Sequence, residues 1–128
     1  ASYTREFGNN NAIRVQFDVP RAFPRLSPVA ELQLLRITQE ALTNVRRHAM
    51  ATEVVVKLEN TSQAVEMIVR DNGQGFTPSD FEESPTGYHG LNIIRERVEG
   101  IGGSLNISTA PGEGTELRVS LPIEKVRL

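Results

Sequence analysis

Three short clusters in this sequence carry side chains whose types and spacing could do chemistry. The first is Glu40, Asn44 and Arg47, at i, i+4 and i+7, with His48 beside them. On a helix turning about 100° per residue these three fall within about 60° of one another. A carboxylate, a neutral amide oxygen and a guanidinium on one stripe could serve a metal–phosphate group. Oxygen ligands suit Mg²⁺, which keeps its waters and takes only one or two protein ligands beside substrate phosphates. Glu could polarise a hydroxyl or a water, and Arg could neutralise phosphate. The same stripe also reads as a solvated helix face with an i, i+4 pair. Asn is nevertheless a weak choice inside a helix, because its side chain competes for the backbone.

The second cluster is Asp71-Asn72-Gly73-Gln74-Gly75, directly after the strand-like run Ala64 to Arg70. Asn-Gly alone is a common turn dipeptide, but Phe76-Thr77-Pro78-Ser79 is no return strand, so a simple hairpin is a poor account. Two phosphate-binding patterns fail by inspection: G-x-G-x-x-G needs Gly where Pro78 stands, and G-x-x-x-x-G-K-[ST] has no counterpart. An Asp at a strand end beside two glycines presents a carboxylate where backbone approaches closely. It could accept from an exocyclic amine such as that of adenine. The third cluster, Gly87-Tyr88-His89-Gly90-Leu91, stands at the amino end of a predicted helix. Free N–H groups and the positive end of the helix dipole make an anion site there, while a flexible loop ending in an ordinary helix start is the plainer alternative.

The elements that must position these clusters are legible from periodicity. Ile13, Val15, Phe17 and Val19 alternate with polar residues as a half-buried strand. Pro20, Pro24 and Pro28 end it, and Ser27-Pro28 reads as the cap and first turn of a helix. From Val29 to about Met50, apolar residues recur at helical spacing: Leu34, Leu35, Ile37, Ala41, Leu42, Val45 and Ala49. Glu53 to Glu59 and Ala64 to Arg70, joined by Thr61-Ser62-Gln63, predict an antiparallel hairpin. A Gly/Pro/Ser-rich stretch, Asn72 to Gly90, has no period. Leu91, Ile94, Val98 and Ile101 mark a second amphipathic helix closed by Gly102-Gly103. Strands at Ser104 to Ser108 and Thr115 to Leu121 follow, joined through Pro111-Gly112-Glu113-Gly114. The order β-α-β-β-loop-α-β-β predicts helices on one face of a mixed sheet.

Composition narrows the chemistry. A chain of 128 residues, 38% hydrophobic and 23% charged, predicts one domain able to bury about two thirds of its unfolded surface. Cysteine is absent, which excludes a disulfide scaffold and thiolate-bound zinc or iron–sulfur centres, and two histidines exclude a histidine-rich metal site. A net charge of −2 gives no footprint for nucleic acid or an anionic membrane. No apolar run approaches the roughly 20 residues of a membrane span. No basic segment followed by an apolar stretch opens the chain, so no leader is expected. The polar start without Met reads as the cut edge of a longer protein. Residues 1–11 are expected to be a linker or disordered, 12–123 the functional domain and 124–128 a tail.

Order and spacing together carry a resemblance. Glu40-Ala41-Leu42-Thr43-Asn44-Val45-Arg46-Arg47-His48-Ala49 resembles the N box of the GHKL ATPase superfamily, Asp71-Asn72-Gly73-Gln74-Gly75-Phe76 its G1 box and Gly87-Tyr88-His89-Gly90-Leu91 its G2 box. Gly112-Glu113-Gly114-Thr115-Glu116-Leu117 is similar to the last Gly-Thr element. Thr38-Gln39-Glu40-Ala41-Leu42-Thr43-Asn44 and Gly90-Leu91-Asn92-Ile93-Ile94-Arg95-Glu96-Arg97 look like sensor histidine kinases, of the subfamily paired with LuxR-type, DNA-binding response regulators. The likeness runs from about Ile13 to Pro122.

This resemblance implies a two-layer α/β sandwich, a mixed, mostly antiparallel sheet covered on one face by helices, that binds ATP with Mg²⁺. It implies that Asn44 coordinates Mg²⁺, that Arg47 stands where the family usually has a phosphate-binding Lys, and that His48 and His89 line the phosphates. Asp71 takes the adenine amine, Gly73 and Gly75 leave space for the base, and Thr115 supports Asp71 through water. Gly87, Gly90 and Leu91 form the lid hinge and phosphate cradle. Glu40 matches the general base of ATP-hydrolysing relatives, and in a kinase it would position the acceptor histidine. The implied partners are a histidine-bearing dimerisation domain, which no segment here resembles, and a response regulator. Contact with nucleic acid is not expected, and contact with a membrane only through the parent protein. The chain is therefore expected to bind ATP without completing autophosphorylation alone, in the cytoplasm. A serine kinase of the anti-sigma-factor type and a non-catalytic nucleotide-binding module are the alternatives. The short acidic segment between Phe76 and Gly87 is expected to be a lid, mobile without nucleotide.

Overall fold

A computed structural model describes residues 2–7, 13–46, 50–75 and 89–128. Strands β1 (Ser2–Phe7), β2 (Ile13–Asp18), β3 (Glu53–Asn60), β4 (Ala64–Asp71), β5 (Ser104–Thr109) and β6 (Thr115–Pro122) form one sheet in the order β1-β2-β3-β4-β6-β5. Helices α1 (Pro28–Asn44), α2 (His89–Gly100) and the short α3 (Ile123–Val126) complete the described elements. Among the described strands only β2 and β3 are parallel neighbours. A parallel pair needs a crossover, and α1 supplies it. The predicted mixed, mostly antiparallel sheet is thus the observed one. None of the described helices is long and apolar enough to cross a membrane.

Alternation fixes which side of the sheet is covered. Ile13 and Val15 of β2, Val54 and Val56 of β3, Val65, Met67 and Val69 of β4, and Leu117, Val119 and Leu121 of β6 are buried in one cluster with Ala30, Leu34, Ile37 and Ala41 of α1 and Leu91, Ile94 and Val98 of α2. The opposite face carries ion pairs between Arg70 and Glu116 and between Arg118 and Glu66. Such partly exposed pairs each contribute about 1 kcal/mol or less.

The Ser27 hydroxyl accepts from the Ala30 N–H at 3.2 Å, with Pro28 in the first turn, so α1 starts where its cap predicts. Its apolar stripe is narrower than the sequence suggests. Leu35 is 55% exposed, and Val29 and Leu32 are exposed as well. One residue on from Leu34, Leu35 sits about 100° round the helix and leaves the sheet-facing stripe. The α-helix ends at Asn44, short of the predicted Met50, and Val45 and Arg46 continue in a wider π turn.

Two segments that the sequence leaves as linker and tail carry structure. Ser2–Phe7 pairs antiparallel with β2, from Ser2 opposite Asp18 to Phe7 opposite Ile13. Strand pairing satisfies backbone groups whatever the polarity of the side chains, which is why polar text did not announce it. At the other end, Val126 is fully buried, its carbonyl accepts from the Ser27 N–H at 2.8 Å, and the Leu128 N–H donates to the Arg25 carbonyl at 2.8 Å. These contacts tie the carboxyl end to the turn that starts α1. Val126→Ala is expected to destabilise the fold by about 1.5–3 kcal/mol through lost burial and a residual cavity. Urea denaturation with the slope held constant measures it, and a midpoint equal to wild type would show that this end contributes nothing.

Candidate functional site

Topology brings the described residues of the three clusters to one end of the sandwich. A crossover helix runs opposite to the parallel strands it joins, so α1 runs against β2 and β3 and in the same sense as β4. The Thr38 hydroxyl, 3.2 Å from the Met67 sulfur, pins the two together. Beyond that contact α1 has six residues to Asn44, roughly 9 Å, and β4 has four residues to Asp71, roughly 13 Å. Both therefore emerge at the same end. β5 also runs with β4, through two antiparallel steps across β6. The tight turn at Gly102-Gly103 makes α2 antiparallel to β5, which delivers the start of α2 to that end too. Arg97 of α2 donates to the Gln33 side chain of α1 at 3.1 Å and clamps the helices together.

Asp71 is the one charged side chain buried among the described residues, at 8% exposure. It closes β4 opposite Val54 on one side and Thr115 on the other, and alternation turns it to the helix-covered face. Burial pushes its carboxyl above the usual carboxylate range, and N–H donors from Gly73 and Thr115 pull it partly back. The Gly73 N–H lies 2.8 Å from Asp71 Oδ1. Thr115 thus meets Asp71 directly through its backbone. Its hydroxyl is 3.0 Å from that of Thr109, which also donates to the Gly114 carbonyl at 3.2 Å.

The glycines explain how two loops come so close. Gly75 has φ +67°, and a Cβ there would stand 2.1 Å from the Ala110 carbonyl oxygen. Gly114 has φ +78°, and a Cβ there would stand 2.2 Å from the Asp71 carbonyl oxygen. At Gly75 the space is filled by the neighbouring loop. The Gly112 N–H donates to the Gln74 carbonyl across the same seam. A cleft of ≈ 410 Å³ opens here, lined by Asp71, Thr109, Gly114 and Thr115 among others. A larger cleft of ≈ 590 Å³ at the opposite end of the sheet, lined by Asp18, Lys57, Glu59 and Thr61 among others, holds none of the residues selected from sequence.

Asn44 closes α1, half-buried, and its amide nitrogen is buried without a hydrogen-bond partner among the described residues. An amide unmatched by protein suits a ligand: it can turn its oxygen to a cation or its N–H₂ to an anion. Glu40, one turn earlier, is half-buried. Leu91 is buried in the core cluster, anchoring the first turn of α2, where the backbone of His89 and Gly90 opens the helix. Arg47, His48, Gly87 and the expected lid lie outside the described residues. Sequence reasoning quoted Asn72 and Gly114 within their motifs without giving either a role, and passed over Thr109. For Gly114 the signal was a glycine in a strand connection, whose reason appears only when the Asp71 backbone is placed against it.

Residues 29–125 match the family described as histidine kinase-, DNA gyrase B-, and HSP90-like ATPase. The chain is 37% identical over 121 residues to the signal transduction histidine-protein kinase/phosphatase DegS of Brevibacillus brevis, spanning 94% of this chain and 31% of that protein. It is 36% identical over 118 residues to the sensor histidine kinase LiaS of Bacillus subtilis, spanning 92% of this chain and 31% of that protein. Its fold is similar to the histidine kinase domain of a blue-light activated histidine kinase from Erythrobacter litoralis, with a TM-score of 0.71 at 22% identity, covering 87% of this chain and 52% of that one.

Proposed function

This chain belongs to the histidine kinase-, DNA gyrase B- and HSP90-like ATPase family, and on that footing we propose that it is the ATP-binding catalytic domain of a two-component sensor histidine kinase. In this reading it delivers the γ-phosphate of ATP to a histidine on a dimerisation domain elsewhere in the parent protein. The observation that carries the nucleotide assignment is the buried Asp71 carboxylate, oriented by Gly73 and Thr115 at the end where α1 and α2 converge. The names of the relatives above, of which the chain spans 31%, support the kinase assignment.

The residues present fit the nucleotide and its metal. Asp71 accepts from the adenine amine, and the Gly73–Gly75 and Gly112–Gly114 loops bound the base. Asn44 offers one oxygen to Mg²⁺ at the carboxyl end of α1, where the helix dipole is negative and favours a cation. The amino end of α2, with His89, Gly90 and Leu91, has the opposite polarity and suits phosphate. Mg²⁺, when bound, offsets triphosphate charge and supplies the rest of its own shell from water and phosphate. Arg47 and His48 add donors to the phosphates. Gly87 serves as the lid hinge, and Glu40 holds the acceptor histidine for attack. ATP as substrate places the domain in the cytoplasm, with a LuxR-type response regulator downstream of the full kinase and any membrane contact made by the parent.

Titration with a fluorescent ATP analogue tests the reading. Tight binding is expected with Mg²⁺ and weaker binding when the metal is chelated. Asn44→Ala, which removes the oxygen, is expected to lessen that metal dependence, and identical metal dependence in variant and wild type would remove Asn44 from the metal. Adding a histidine-bearing helix pair and ATP is expected to yield an acid-labile phosphoryl product. An acid-stable product would mark a serine kinase, and nucleotide binding with no transfer a non-catalytic module.

A further inference from the structure

Asn72, the residue after the base-reading carboxylate, faces solvent, yet its side chain makes three hydrogen bonds to Thr52 and Glu53. Its Oδ1 accepts from the Thr52 N–H at 2.9 Å and from the Glu53 N–H at 3.0 Å. Its Nδ2 donates to the Thr52 hydroxyl at 2.9 Å, and its own N–H donates to the Glu53 carbonyl at 3.2 Å. The β3–β4 ladder ends with Val54 opposite Asp71. One step further the chain must leave the sheet to form the glycine loop, and the Asn72 amide takes over donors at the start of β3. An amide side chain can satisfy two N–H groups and a hydroxyl at once; alanine has no polar atom to do so, and the single hydroxyl of serine stands closer to its own backbone and falls short of that span.

Both ends of this tie matter. On one side stands Gly73, whose N–H is held on Asp71 Oδ1 and whose position follows directly from Asn72. On the other side, Thr52 lies in the connection from α1 to β3, two residues after Met50, which adopts a left-handed φ of +51°. That connection leads back to Asn44. The amide thus fastens the loop that reads the base to the segment continuous with the helix assigned to metal and phosphate.

We propose that Asn72 is a positioning residue for adenine recognition: through Thr52 and Glu53 it keeps the Gly73 N–H on Asp71 and fixes the aim of the carboxylate at the exocyclic amine. The proposal rests on the assignment of Asp71 to adenine. Its signature is loss of base discrimination, because a carboxylate turned off line forfeits the amine contact and leaves the ribose and phosphate contacts in place.

The experiment compares Kd for ATP with Kd for purine riboside triphosphate, which lacks the exocyclic amine, by displacement of a fluorescent nucleotide. Wild type is expected to prefer ATP. Asn72→Ala is expected to lower that preference by about tenfold, the scale of one hydrogen bond's net contribution, with little change for the purine analogue. Asn72→Asp keeps an oxygen for the Thr52 and Glu53 N–H groups, and the Thr52 hydroxyl can turn to donate, so it is expected to retain most of the preference. An Asn72→Ala protein that weakens both nucleotides by one common factor, or neither, would overturn the proposal and leave the Asp71 assignment standing. A wild type without preference would overturn that assignment and the proposal together. Should Asn72→Ala fail to fold, Asn72→Ser carries the same comparison under the same criteria.

Discussion

Replacing Asp71 by asparagine is expected to weaken ATP binding by about 1.5–3 kcal/mol, the worth of a hydrogen bond to a charged group. That is roughly ten- to hundredfold in Kd. Asparagine keeps the shape and one acceptor oxygen, so the change isolates the charge. The carboxylate is buried, where a charge-assisted bond is less weakened by water than at the surface. Equal affinity in the variant would take Asp71 out of the base contact.

Stability is expected to move the other way. Folding raises the Asp71 carboxyl above its ordinary value, chiefly by desolvation. The folded protein therefore holds this proton more tightly than the unfolded chain. Its contribution to stability falls as pH rises from the ordinary carboxylate value to the raised one, and is constant above both. The asparagine variant lacks this penalty. Its melting temperature relative to wild type is expected to climb as pH rises from the ordinary carboxylate value to the raised one, while wild-type affinity for ATP climbs over the same window as the carboxylate ionises. A variant that loses stability relative to wild type across that window would contradict the burial argument. Asp71 thus has the signature of a residue kept for ligand at the expense of the fold.

Gly114→Ala is expected to be among the most damaging single methyls in the described structure, together with Gly75→Ala. The left-handed backbone alone disfavours alanine by about 1–2 kcal/mol. The new Cβ would also stand 2.2 Å from the Asp71 carbonyl oxygen, with the Asp71 carbonyl carbon at 3.2 Å. These are backbone atoms of a central strand and cannot swing aside as a flexible side chain would. A total of about 2–5 kcal/mol is expected once strand displacement is added. Thermal melting reads the loss, and nucleotide titration should show weakened binding in whatever fraction folds, because Asp71 itself is pushed. Gly112→Ala is the control: its φ is similar, +80°, but no atom lies within 4 Å of a Cβ there. Similar damage at both positions would mean that backbone conformation, and not the contact with Asp71, sets the effect.

Much of this molecule is legible without coordinates because it rests on local rules. Ser27-Pro28 caps α1 because cap geometry needs only neighbours in sequence. The 53–60 and 64–71 hairpin follows from two strand-like runs, the first rich in valine, on either side of Thr61, whose hydroxyl accepts from the Gln63 and Ala64 N–H groups at 3.1 Å. Glu40, Asn44 and Asp71 stand out because polar residues at the ends of apolar elements lack a packing reason. The edge strand Ser2–Phe7 and the buried Val126 escaped notice for a shared reason. A strand of mixed polarity and a four-residue helix carry too few repeats for periodicity to register, and their stability comes from partners distant in the chain.

Taken alone, the sequence determines the covered sheet, the order of its elements and the residue types that suit a nucleotide with a metal, since side-chain alternation and ligand chemistry are properties of neighbours. Tertiary structure decides everything that depends on direction. Running α1 with β4 and α2 against them brings Asn44, Asp71 and the start of α2 to one end. Stacking the 110–114 loop on Asp71 forbids any side chain at Gly114. Tying Asn72 to Thr52 and Glu53 steers the loop that follows Asp71. Hydrogen bonds and steric contacts between segments tens of residues apart have no period in one dimension, so only the assembled fold reveals which residue must hold which.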